Sequence, residues 1–181
     1  MLMLPSMSRY SNMVSRLTIR NADPLEYDKV SWLILTAYRE YEHQMPGDAW
    51  TKYSSSMQDV RSRTTESELI VAIEGNVIVG SATFYPTYMK RVESGWPQEW
   101  TAVRLVAVRP DKRERGVGKA LIEECIARSR KQDAVAIALH TTPLMTRAQQ
   151  MYEALGFQRI PKYDFEPRAD FVVMAYKMEL D

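Results

Sequence analysis

Residues 16–20 (RLTIR) alternate polar and apolar positions, the period of a short strand with one buried face. The turn Asn21-Ala22-Asp23-Pro24 follows, and Asp23 ahead of Pro24 sets up a helix with proline at its first position. From residue 25 to about 41, Tyr27, Val30, Leu33, Ile34 and Tyr38 recur at helical spacing. Residues 45–48 break that pattern. Trp50, Tyr53, Met57 and Val60 then mark one face of a second, more polar helix over 49–63. Two strand-like runs, ELIVAIE (68–74) and VIVGSATFY (77–85), flank Gly75-Asn76 and predict a tight hairpin. A loop over 86–97 leads to a third strand, 101–108 (TAVRLVAV), which Arg109-Pro110-Asp111 stops. A helix is expected from residue 116 to about 131, with Val117, Leu121, Ile122, Cys125 and Ile126 facing inward. The continuous apolar run 134–139 (AVAIAL) is that of a strand buried on both faces. A helix over 143–155, ended by Gly156, and a strand over 171–178 complete the pattern.

The order is strand, two helices, three strands, helix, strand, helix, strand, with no repeat or linker to divide it. It predicts an α/β fold: a central mixed β-sheet, antiparallel at the hairpin, flanked by helices on both faces. A length of 181 residues suits one domain, read as 16–181 behind a mobile N-terminal extension over 1–15. The opening residues lack a basic start and carry Pro5, so they make a poor signal peptide. No apolar run approaches the ~18 residues that cross a bilayer. The single cysteine excludes an internal disulfide, and together these features predict a cytoplasmic protein. With 24 Lys+Arg against 23 Asp+Glu, the net charge of +1 points to neither nucleic acid nor a membrane surface as partner. Cys125 and the distant His43 and His140 do not make a zinc set, so no metal is expected.

The most informative segment joins the strand ending Val106-Ala107-Val108 to the helix opening Gly116-Val117-Gly118-Lys119. A helix N-terminus offers unpaired N–H groups and a partial positive charge, and glycines let an anion reach the backbone. Lys112, Arg113, Arg115 and Lys119 surround it with positive charge, which describes a pyrophosphate cradle. The Walker pattern is not matched. The dinucleotide fingerprint fails as well, because Leu121 stands where its third glycine belongs and residues 109–115 separate strand from glycines.

Arg113-x-x-Gly116-x-Gly118, between a hydrophobic strand and a helix, resembles the acetyl-CoA loop of the GCN5-related N-acetyltransferases. A second signature of that family is similar to residues 148–157 (AQQMYEALGF). The similarity extends over about 17–178 by element order and over 103–157 by motif. It implies an acyl-CoA-dependent N-acetyltransferase with acetyl-CoA as cosubstrate and a primary amine of a small molecule or peptide as acceptor. It further implies that Val106, Ala107 and Val108 bond the pantetheine arm through their backbone. Arg113, Glu114, Arg115, Gly116, Val117, Gly118 and Lys119 would form the loop whose amides hold the pyrophosphate, and Tyr152 would protonate the departing thiolate. Relatives are commonly homodimers, though no residue here specifies one. Two positions depart from the family pattern. Met145 replaces an asparagine that contacts the cofactor, and Ala102 stands where many members carry a glutamate base.

The residues themselves leave several roles open. Tyr152 also suits an ordinary core position near the end of an amphipathic helix. His140 ends a buried strand, where an imidazole can take a proton from an amine or simply cap the strand. Glu99 precedes the cofactor strand and could reach the acceptor amine; Glu42 and His43 close the first helix near the expected acceptor side. Tyr85, Tyr88, Trp96 and Trp100 cluster around one loop as core cover or as an acceptor pocket. Cys125 lies on the inward helical face and reads as structural. No Gly-x-Ser-x-Gly elbow offers a serine nucleophile, so direct attack in a ternary complex is expected. The alternative is a CoA-binding sensor with little turnover.

Overall fold

A computed structural model describes residues 16–45, 48–89 and 95–181; the extension expected over 1–15 lies outside them. Leu17–Asn21 (β1) pairs antiparallel with Glu68–Glu74 (β2). Gly75 at φ 62 then turns β2 tightly into Val77–Tyr85 (β3), with Glu74 opposite Val77. Trp100–Val108 (β4) runs antiparallel to β3 and parallel to Ala136–Thr141 (β5). Two short strands, Gln158–Arg159 (β6) and Phe165–Arg168 (β7), both pair with the last strand, Phe171–Glu179 (β8), which lies antiparallel to β5. The path through the sheet is β1-β2-β3-β4-β5-β8-β6, so the mixed sheet expected from the pattern is present, with one parallel pair at its centre.

The runs that do not alternate feed two cores. Leu69 and Val71 face one layer, with Tyr27–Tyr38 (α1), Ala49–Gln58 (α2) and Val60–Arg63 (α3) packed on it through Val30, Leu33, Ile34, Met57 and Val60. Ile70 and Ala72 face the other layer, where Val117–Lys131 (α4) and Thr146–Ala154 (α5) contribute Leu121, Ile122, Cys125 and Tyr152. Helices thus cover both faces, as continuous apolar strands require.

Several boundaries differ from the pattern. The helix expected over 49–63 breaks at Asp59, whose Oδ1 accepts the Ser62 N–H at 3.2 Å and caps α3. The first helix is framed by 3₁₀ turns at Pro24–Glu26 and Arg39–Gln44. Strand β5 starts at Ala136 and continues through His140 and Thr141, where β8 supplies partners. The short β6 and β7 carry no period long enough to read.

One irregularity positions everything that follows. Strands β4 and β5 pair only from Trp100 opposite Ala136 to Val103 opposite Leu139. On the other side of β4, Thr83 faces Arg104 but Ser81 faces Ala107, so β4 bulges by one residue. Leu105 occupies the left-handed region at φ 51, a conformation that costs a residue with a Cβ about 1–2 kcal/mol. From Arg104 onward the β5-facing edge of β4 has no strand partner, and the two parallel strands part.

Candidate active site

Val106, Ala107 and Val108 lie on this parted stretch. Ala107 is buried in the α1 layer, and the Tyr38 hydroxyl donates to the Val106 carbonyl at 3.2 Å. Beyond the strand, Gly116 at φ 79 precedes α4 without any side-chain cap, and its carbonyl accepts the first helical bond, from Ala120 at 2.9 Å. The N–H groups of Val117, Gly118 and Lys119 therefore have no partner within the helix, at the positive end of a fifteen-residue dipole. Glu114 also sits at positive φ, 61°, so the loop curls twice before the helix. A Cβ at Gly118 would lie 3.5 Å from the Met151 sulfur and 3.6 Å from a Val108 methyl, both ordinary contacts. The fold does not require glycine at that position; what glycine leaves is close access to the amides, as an anion needs.

The surrounding cations are mostly spent elsewhere. Arg113 turns away from the loop to the end of α1, donating to Glu40 at 2.9 Å and to the Ala37 carbonyl at 2.8 Å. Lys112 pairs with Glu74, and Lys119 lies 3.7 Å from Glu123. Glu114 holds Arg147 at 2.5 Å. Arg115 is exposed and makes no ion pair among the described residues. The cradle's attraction for an anion thus rests on the amides and Arg115. Gly118→Asp is expected to place a carboxylate at these amides. The rise in melting temperature with saturating CoA, worth about 2.7 kcal/mol at a hundred times Kd, should disappear while the variant stays folded. A folded variant that keeps the full CoA shift would rule the cradle out.

On the α1–α2 face, a cavity of about 740 Å³ opens where β4 and β5 part. Its lining includes Tyr53, Tyr85, Trp96, Ala102, Arg104, His140, Thr141, Thr142, Met145 and Phe165. His140 is held on three sides. The Trp96 ring stacks on it at 4.5 Å, Phe165 meets it edge-on at 5.1 Å, and its Nε2 lies 3.1 Å from the Tyr163 carbonyl. A carbonyl only accepts, so Nε2 carries the proton and Nδ1 keeps its lone pair. Burial holds the imidazole below its ordinary pKa, and the nearby Arg104 charge adds to this, against opposing effects of the Tyr163 carbonyl and Asp164. The result is a neutral imidazole whose Nδ1 has no hydrogen-bond partner among the described residues.

The Tyr163 carbonyl is fixed by the chain following β6. Arg159 grips Asp164 with two bonds, 2.8 and 2.7 Å, and Asp164 accepts the Ala175 N–H at 2.8 Å. The hydrogen bond from Arg159 holds the Asp164 carboxyl below its ordinary range.

Tyr152 projects from α5 into the core beside Phe157, at 5.8 Å between rings, and is 5% exposed. Burial raises its pKa well above the ordinary phenol value, reinforced by Cys125 and by Tyr41 and Tyr53 from the other side of the sheet. It stays protonated at any working pH. Cys125 is fully buried, and burial raises its thiol pKa as well, as a structural residue requires.

Tyr152 does not line the cavity, and the remaining candidates separate further. Glu99 is exposed at the opposite end of β4 from the parting, its carbonyl accepting the Val135 N–H at 3.2 Å, and it does not line the cavity. Glu42 and His43 lie in the 3₁₀ turn and also stay outside the lining, which takes Met45 and Asp48 instead. Of the four aromatics, Tyr85 and Trp96 line the cavity. Tyr88 projects outward, 66% exposed, and donates to Glu68, while Trp100 packs beneath Trp96, Tyr163 and Lys177. Ala102 lines the cavity where a glutamate was wanted, and its parallel partner Ala138 lies two residues before His140.

A model of the acetyltransferase (GNAT) family matches residues 29–157, a span that holds the bulged strand, the uncapped helix and Tyr152 together. The chain belongs to the GNAT acetyltransferase family. The family's acyl donor is acetyl-CoA, and the resemblance of the two motifs is confirmed at that level. A mycothiol acetyltransferase from Thermobispora bispora is 28% identical over 137 residues, covering 73% of this chain and 43% of that protein, so the chain spans less than half the relative's length. A GNAT acetyltransferase structure from Staphylococcus aureus Mu50 superposes with TM-score 0.69 at 18% identity, covering 92% of this chain and all of the other. A Salmonella typhimurium protein, solved with its cofactor acetyl-CoA, gives TM-score 0.65 at 18% identity over 91% of this chain and 94% of its own. These structural likenesses establish the GNAT fold. No helix among the described residues is long and apolar enough to cross a membrane.

Proposed function

We propose that this chain transfers the acetyl group of acetyl-CoA to a primary amine of a small molecule or peptide, in the cytoplasm, by direct attack within a ternary complex. The observation that carries the reading is His140, a neutral imidazole with Nδ1 free, lining a cavity at the point where β4 and β5 part. Bound acetyl-CoA would supply an acyl carbon already activated as a thioester. The uncapped amides of Val117, Gly118 and Lys119 suit its pyrophosphate, and the parted edge of β4 at Val106, Ala107 and Val108 suits the pantetheine amides.

In this scheme His140 Nδ1 takes a proton from the attacking amine as the new N–C bond forms, then returns it to solvent. The C–S bond breaks, its electron pair leaves on sulfur, and the Tyr152 hydroxyl donates a proton to that thiolate and regains one from solvent, which balances the proton that His140 releases. Backbone N–H groups along the parted edge of β4 are the donors available to a carbonyl developing negative charge. Most of the rate gain comes from holding amine and thioester together. His140 supplies from β5 the base that Ala102 does not supply from β4.

The reading is tested by thiol release from acetyl-CoA across a panel of amines, with the acetylated product identified. Amine-dependent release with matching product is expected; CoA binding with no release on any amine would favour the sensor. The Trp96 ring covers His140 on the acceptor side. Trp96→Ala is therefore expected to raise the acceptor KM about tenfold or more, from the lost aromatic contact, with CoA affinity changed less than threefold. Weakened CoA binding with normal acceptor saturation would assign the ring to the other substrate.

A further inference from the structure

The parting of β4 from β5 brings two groups to one mouth. Arg104 and His140 are the first residues beyond the last paired position, Val103 opposite Leu139, and both line the cavity. Both side chains therefore border the same opening. Their proximity is felt electrostatically, since the Arg104 charge disfavours protonation of His140.

The exposed Arg104 side chain makes no hydrogen bond or ion pair with any described residue, whereas each of the cavity's other charged side chains has an interaction. Lys52 holds Asp48 at 2.8 Å, and Glu66 and Arg168 each have an interaction of their own. The lining therefore presents one uncompensated positive charge. It also carries the hydroxyls of Tyr85, Thr141 and Thr142, each in a residue no more than 7% exposed and each without a hydrogen-bond partner among the described residues. Tyr85 stands on the same face of the sheet as Arg104, two residues from Thr83, the cross-strand partner of Arg104. A guanidinium with buried, unsatisfied hydroxyls beside it is costly to cover with an apolar or cationic ligand. It is favourable to cover with an anionic oxygen group, which accepts from the guanidinium and from any of these hydroxyls that it reaches.

We propose that the acceptor is a small amine that also bears a carboxylate, with Arg104 binding the carboxylate while the amine faces His140. The proposal rests on the acetyl-transfer reading and adds the chemical class of the acceptor. Two alternatives gain less from the same charge: a polyamine would bring cations against Arg104, and an amine with no anionic group would leave the guanidinium without a partner.

The test compares amino acids with their carboxamides, and with aminophosphonates, at equal concentrations of free amine, in the parent and in Arg104→Met and Arg104→Lys. In the parent, kcat/KM for the carboxylates should exceed that for the amides by roughly 10–100-fold, the usual range for a charge-assisted hydrogen bond. In Arg104→Met that ratio should collapse toward one, chiefly through acceptor KM, and Arg104→Lys should recover part of it. A parent without carboxylate preference overturns the proposal. So does Arg104→Met with the ratio intact, or a parent that prefers aminophosphonates. If no amine supports thiol release, the acetyl-transfer reading has failed separately, and ligand-induced shifts in melting temperature then decide the present one. A shift seen with amino acids but not amides, and erased by Arg104→Met, upholds carboxylate binding. Equal shifts, or none, overturn it.

Discussion

His140→Gln is expected to lower kcat by about 10²–10³-fold under conditions where chemistry limits the rate, toward the lower part of the usual range for general-base catalysis. Glutamine can still donate to the Tyr163 carbonyl, so the 3.1 Å contact that orients the side chain has a replacement and the surrounding Trp96 and Phe165 keep a planar neighbour. What is lost is the Nδ1 lone pair. The pH dependence supplies the second half of this prediction. Burial and the Arg104 charge lower the pKa of His140 from its ordinary 6.5, so the folded protein favours the neutral ring. In the parent, kcat should stay level through neutral pH and fall only when acid protonates Nδ1, below that value. The variant should lack this step. The same sign holds for stability, since the unfolded chain binds this proton more readily than the folded one. His140's stabilising effect is full above pH 6.5 and is lost as pH falls toward its folded pKa. A variant within twofold of the parent, with the same acid limb, would remove His140 from the chemistry.

The second large effect is expected at Tyr152. Tyr152→Phe keeps the ring against Phe157 and should leave α5 packed. A general acid contributes ~10²–10⁴-fold, roughly 3–5 kcal/mol of barrier. The loss should appear in kcat with CoA affinity changed only a few-fold, because the proton is required as sulfur leaves and not before. The raised pKa makes a further point. The phenol is too weakly acidic to ionise in the working range, so a basic limb near pH 10 belongs to another group and should survive in the Phe variant. Normal kcat in a folded Tyr152→Phe would return the residue to the core and leave water to protonate the thiolate.

Local features of this molecule were legible and long-range ones were not. Gly75-Asn76, residues 136–139 of the apolar run and the glycines before α4 declare themselves because a turn, a doubly buried strand and an uncapped helix each use neighbouring residues, although Val135 of the same run is exposed and precedes the strand. The bulge at Leu105 does not, because it is defined by register against β3, and without it Arg104 reads as an ordinary polar strand residue. His140 was identifiable as a candidate, but its tautomer depends on Tyr163, brought back by two short strands and an Arg159–Asp164 clasp. Glu99 shows the opposite limit. Nearness in sequence to β4 does not say which end of the strand opens, and Glu99 lies at the closed one. The aromatic cluster divided for a similar reason: alternation along β3 turns Tyr85 into the cavity, whereas Tyr88, past the strand, turns out to Glu68.

The measurement closest to the central claim is the initial rate of acetylated-amine formation, taken as a matrix of amine and acetyl-CoA concentrations with thiol release recorded in parallel. Direct transfer between two substrates held at the β4–β5 parting predicts one thiol released per amine acetylated and double-reciprocal lines that intersect. Parallel lines would show an acylated enzyme intermediate, and thiol release indifferent to amine would show hydrolysis; either result contradicts the account.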